Sequence, residues 1–171
     1  MRQMRSASGL VLALGLCLVL AVSATAQLTT WGKGPFPVSI YGPLNDGFDL
    51  IQAGKYDLAA EKFKEVLKVD MNNPFALNNL AAIEEQKGNY REAMALLQQA
   101  TTKADDYLQK IAQTCFVAGL CNAVKPTQEM GANSTIAPIV RDNIAKLQPK
   151  IDALPPQPSS PPPMTPKKPL K

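Results

Sequence analysis

The chain has 171 residues, with 18 basic against 14 acidic side chains, a formal net charge of +4 and no histidine. Such a length suits one domain behind a leading segment, and the lack of histidine removes the commonest general base and metal ligand. Without Arg2 and Arg5 the basic count falls to 16 against 14, and between residues 40 and 154 it is 12 against 14, a mixed surface with no general nucleic-acid footprint.

The chain opens on MRQMR, then the apolar run GLVLALGLCLVLAV, then SATAQ. A basic start, an apolar run and small residues at Ala24 and Ala26 are the three parts of a secretory signal. Residues 1–26 are therefore expected to be removed before Gln27, leaving a periplasmic or secreted protein. The alternative is an anchor that is retained, but the run falls short of the ~20 residues a span needs. Residues 27–41, QLTTWGKGPFPVSIY, hold two prolines and two glycines without helical period and read as an extended lead segment.

From residue 42 the composition turns to Ala, Leu, Lys, Glu and Gln, the strong helix formers. AGKYDLAAEKF and KGNYREAMALL repeat one phrase 34 residues apart, with Gly54 answered by Gly88, Tyr56 by Tyr90, Ala59 by Ala93 and Phe63 by Leu97. A period in this range marks a repeat architecture. Pro43 and Pro74 stand where proline costs a helix nothing, in its first turn, so the first helices of two hairpins are predicted over 43–53 and 74–87. Gly54 and Gly88 supply the turns, and the second helices follow over 56–69 and 90–103. Ala59 and Ala93 let paired helix axes approach, while Phe63, Val66 and Leu67, and Leu97 and Ala100, continue an apolar stripe at helical spacing.

This stretch resembles tandem tetratricopeptide repeats. The second unit carries the pattern at Leu80-Ala81, Gly88, Tyr90, Ala93, Leu97 and Ala100. The first carries it at Gly47, Gly54, Tyr56, Ala59 and Phe63, departing at Asp46, where Leu is usual, and at Met71, where Pro is frequent. The resemblance covers roughly residues 40–107, with units at about 40–73 and 74–107. It implies an all-α, right-handed solenoid whose concave face, lined by the first helix of each unit, holds a peptide or protein partner. In that register the face receives Tyr41, Leu44, Phe48 and Ile51 from one unit and Phe75, Asn78, Asn79, Ala82 and Glu85 from the next. A carboxylate clamp of the family needs Lys and Asn where Leu44 and Phe48 stand, so only Asn79 agrees with that ligand class. Leu44, Phe48 and Ile51 together make an apolar strip too large to leave bare. Either they are core, or an extended segment covers them, and Trp31, Phe36 and Pro37 lie just upstream.

Two units fall short of the ~3 that close a repeat core, so residues 105–154 are expected to cap it. Asp105 or Asp106 suits an N-cap, and Leu108, Ile111, Ala112 and Cys115 form a stripe, which predicts a third first-position helix. Residues 121–132 lack pattern, and a last helix is expected near 139–154, bent or ended in its regular part by Pro149. Asn133-Ser134-Thr135 reads as its cap, although it also fits a glycosylation acceptor. In an oxidising compartment Cys115 and Cys121 are expected to pair. Continuous helix would hold them about 9 Å apart, past the ~7 Å a bridge tolerates, so the helix must end between them, at Gly119. The alternative is two buried thiols. Residues 155–171, rich in proline and ending with Lys167, Lys168 and Lys171, read as a disordered tail.

No Cys-x-x-Cys, phosphate loop or nucleophile elbow appears, and Glu84-Glu85 and Asp105-Asp106 are sequence neighbours that do not face each other on a helix. No catalytic residue, metal or cofactor is expected. The expected function is a non-enzymatic adaptor of the bacterial envelope, or alternatively a structural envelope component whose basic tail touches cell wall or membrane surface.

Overall fold

The computed structural model describes residues 31–117, 119 and 121–156. The expected leader and nearly all of the proline-rich tail lie outside the described residues. A 3-10 turn at Trp31–Lys33 precedes α1 (Val38–Gln52), α2 (Tyr56–Val69), α3 (Pro74–Gln86) and α4 (Tyr90–Thr101). A second 3-10 turn at Ala104–Asp106 leads into β1 (Gln109–Phe116), β2 (Asn122–Met130) and α5 (Ile136–Asp152).

The four consecutive helices are the two predicted hairpins. Gly54 and Gly88 sit at φ +72° and +82° in their turns, a conformation that favours glycine because any Cβ meets the carbonyl there. Asn73 starts α3 by accepting the N–H of Phe75 and of Ala76, each at 3.1 Å, with Pro74 directly behind it. Ala59 and Ala93 are fully buried. Gly47 belongs to the same economy of space: a Cβ on it would stand 2.6 Å from the Phe63 ring, so its absence lets α1 lie close on α2.

α1 begins five residues earlier than the sequence implied. Pro37 is its N-cap and Pro43 lies inside it, which the helix tolerates with the loss of one internal bond near its start. Starting there carries Ile40 into the core beside Leu44, Phe48 and Ile51.

The expected third first-position helix is not formed. Residues 109–116 are a strand, and with 122–130 they make an antiparallel hairpin, Cys115 opposite Ala123 and Phe116 opposite Asn122, with register shifts between Gln109, Ile111 and Gln113. The fold is thus mostly helical with a small two-stranded sheet, rather than all-α. The cap is shared between this hairpin and α5. α5 lies across α4 and touches α3, burying Ile136, Ala137, Val140, Asn143 and Leu147. Ser134 caps it as expected, accepting the Ala137 N–H at 3.1 Å. Pro149 stays within the helix, which runs on to Asp152.

Candidate functional site

The face made by α1 and α3 is where the resemblance places a partner, and the hairpin sits on it. β2 packs against both helices. Leu44, Phe48, Phe75, Asn78, Asn79 and Ala82 are completely buried, Ile51 and Glu85 nearly so, and Tyr41 is half-buried. Of the two readings of the Leu44, Phe48 and Ile51 strip, the structure has the three residues in the core, with Lys125 of β2 over the Phe48 ring. Burial of each such side chain contributes about 1.5–3 kcal/mol.

Hydrogen bonds hold β2 there as much as apolar packing does. Asn79 on α3 grips Val124 by its backbone: its Nδ2 donates to the Val124 carbonyl and its Oδ1 accepts the Val124 N–H, both at 2.8 Å. Asn143 on α5 grips Asn122 in the same two-handed manner, at 2.9 Å to the N–H and 3.0 Å to the carbonyl. Asn78 joins the two grips, donating to the Asn122 carbonyl and accepting from Asn143, each at 2.8 Å. A side-chain amide has one donor face and one acceptor face, the same pair an adjacent strand would offer. The asparagines therefore stand in for a neighbouring strand along the outer side of β2. The next residue of that parity is Pro126, which has no N–H to satisfy.

Glu85 anchors the hairpin tip. Its carboxylate accepts the Cys121 N–H at 2.7 Å and lies 3.6 Å from the Lys150 ammonium. Gly119 passes so near that a Cβ would come within 2.7 Å of the Glu85 carboxylate oxygen, so Gly119 serves close approach in a hairpin turn and ends no helix. At the other side of the face, Lys125 of β2 pairs with Asp49 of α1 at 2.6 Å and lies over the Phe48 ring.

The lead segment closes the far end. Phe36 is gripped through its backbone by the Gln128 side chain, 2.8 Å from its N–H and 2.9 Å from its carbonyl. Its ring meets Phe75 edge-on, with centroids 5.7 Å apart. Gly32 accepts the Leu108 N–H at 3.0 Å and Gly34 accepts from the Gln109 amide. Tyr107 donates its hydroxyl to Asp70, and burial first, this bond second, push its phenol far up.

Cys115 and Cys121 are both free thiols, so the bridge between them is not formed in this structure. Cys115 lies within β1, with Cys121 just before β2. Burial raises both thiols, and for Cys121 the Glu85 carboxylate adds to it. Neither has the lowered pKa of a reactive cysteine. Among the described residues no cluster of His, Cys, Asp or Glu could hold a metal ion, and no helix is long and apolar enough to cross a membrane.

Of the residues assigned to the face from the sequence, Asn78, Asn79 and Glu85 hold the hairpin by hydrogen bonds, Phe48 lies beneath Lys125 and Phe75 meets Phe36. What the sequence reading missed is the occupant: Asn122, Val124, Gln128 and Asn143. β-favouring residues either side of Gly119, Phe116-Val117 and Val124, were a signal for a hairpin. The sequence model of the tetratricopeptide repeat matches residues 50–113, the stretch from α1 into β1. No curated protein and no solved structure matches the chain.

Proposed function

The chain is a tetratricopeptide repeat protein over that stretch, and from this premise we propose that it is a non-enzymatic interaction adaptor, exported to the bacterial envelope, that joins other proteins. Such repeats generally mediate protein–protein interaction. The observation that carries the reading is the α1 and α3 face itself, which holds an extended strand by reading its backbone through Asn79. This is the chemistry of peptide recognition, used here on the chain's own β2. With that face filled from within, the partner meets the surface that the seated hairpin and the helices present outward, and not the bare helices.

Export is supported by the basic, apolar and small-residue order of residues 1–26. N-terminal sequencing of protein recovered from the envelope should begin at Gln27; a chain still starting at Met1 would refute cleavage. Adaptor function is tested by crosslinking the folded chain in envelope extract. A defined protein partner in fixed proportion is expected. Recovery of cell-wall polymer alone would overturn the adaptor reading in favour of a structural envelope component.

A further inference from the structure

The outer edge of β1 is the side turned away from β2. Thr114 stands opposite Val124 and Phe116 opposite Asn122. Val124 and Asn122 both turn N–H and C=O away from β1, toward Asn79 and Asn143. In an antiparallel ladder a directly opposed pair exchanges both bonds or neither, so Thr114 and Phe116 also turn theirs away, to the free side. Among the described residues neither backbone has a partner there. Both residues are exposed, Phe116 to 66%. Natural edges are guarded by charges or proline, and from Ile111 to Phe116 this one has neither.

We infer that β1 pairs antiparallel with β1 of a second copy, about a two-fold axis through Cys115. The alternation of the strand selects the axis. Outward-facing residues must meet outward-facing residues, and an axis at Cys115 sets Thr114 against Phe116 of the second copy, and Phe116 against Thr114, using only the regular part of the strand. An axis at Thr114 would draw in Ala112, which lies where the register shifts, and one at Phe116 would draw in residue 118, beyond the end of β1. The sequence of the edge is compatible with itself. Its one charge, Lys110, is paired with Glu129 at 3.1 Å and lies beyond the Thr114 and Phe116 pairs. The Thr114 and Phe116 pairs join a β-branched to an aromatic side chain, a favourable cross-strand combination. A second copy is favoured over a foreign strand because this register satisfies both sides with the same residues, as an isologous contact requires.

The axis also brings the two Cys115 residues into a pair without mutual backbone bonds, with Cα atoms about 4.5 Å apart, inside the range of a disulfide. A diazene oxidant such as diamide, taking one hydrogen from each thiol, would join the Sγ atoms and leave a reducible covalent dimer.

The test is sedimentation of the purified protein over a wide concentration range, with and without diamide. The mass should rise from one copy to two, and diamide should trap a dimer that Cys115→Ser abolishes and Cys121→Ser keeps. Thr114→Pro removes an N–H that the single copy does not use, so it should melt like the parent yet stay monomeric. Phe116→Lys serves the same purpose should the proline variant fail to fold. A parent protein that is monomeric throughout, or edge variants that dimerise as the parent does, would overturn the inference. Loss of an envelope partner by Thr114→Pro from a monomeric parent would overturn it too, in favour of a foreign strand, while leaving the adaptor reading intact.

Discussion

Asn79 lies wholly out of solvent with both ends of its amide on Val124. Truncating it to alanine strands a buried N–H and a buried carbonyl, each costing about 1–3 kcal/mol. Asn79→Ala should therefore lower unfolding stability by about 2–6 kcal/mol, read from denaturant midpoints. Two further residues set the alkaline limit. Cys121 and Tyr107 both have pKa values raised above their ordinary 9.0 and 10.0, burial being the first cause in each. The folded state keeps these protons while the unfolded chain loses them, so the stability they confer is full below about pH 9 and falls above it. Melting temperature should stay level from neutrality to about that pH and drop beyond it. Cys121→Ala should lessen the earliest part of the drop, leaving the share of Cys115, whose thiol burial also raises, which a series of melts across this window will show.

At the level of elements, the repeat hairpins were legible because their constraints are local. Gly54 and Gly88 need positive φ, Ala59 and Ala93 need small size, and each shows directly as a residue type. The start of α1 was not legible, since Pro43 fits a first turn as well as it fits the interior it occupies. β1 was misread because Leu108, Ile111, Ala112 and Cys115 happen to fall at helical spacing. As a strand with one solvated edge it shows no clean alternation of burial, and what makes it a strand is its pairing with β2, itself held by Asn78, Asn79 and Asn143 from distant helices. Asn78, Asn79 and Glu85 were placed by register, but the strand they hold was not legible, because β2 is specified by backbone bonds that leave little trace in its own side chains. Phe48 separates an open face from a filled one. It is fully buried beneath Lys125, so Phe48→Glu should destabilise the fold by several kcal/mol instead of leaving its melt untouched as a change on an open binding face would.

For the whole molecule, the consequence is that repeats and hairpin form one cooperative unit. The grips of Asn79 and Asn143 and the apolar cover of Phe48 and Phe75 tie residues 121–130 to α1, α3 and α5. Native-state hydrogen exchange should find the Val124 amide opening together with the amides of α3. The Thr114 and Phe116 amides, on the free edge, should exchange far sooner at concentrations where the chain is a monomer. Fast exchange at Val124 would show instead that the hairpin leaves its seat while the helices stay folded.

Pro126 gives the hairpin something more. A strand held on a face can slide along it, and a slide of one residue is blocked because it would turn the buried side chains outward. A slide of two keeps the faces, and in a plain strand only side-chain fit would oppose it. Here, a shift that moved Pro126 onto Asn79 would offer the Oδ1 acceptor a ring nitrogen with no hydrogen, leaving a buried amide half-answered. The proline works as a detent: buried opposite Ile111 in the correct alignment, it also makes the nearest wrong one incomplete.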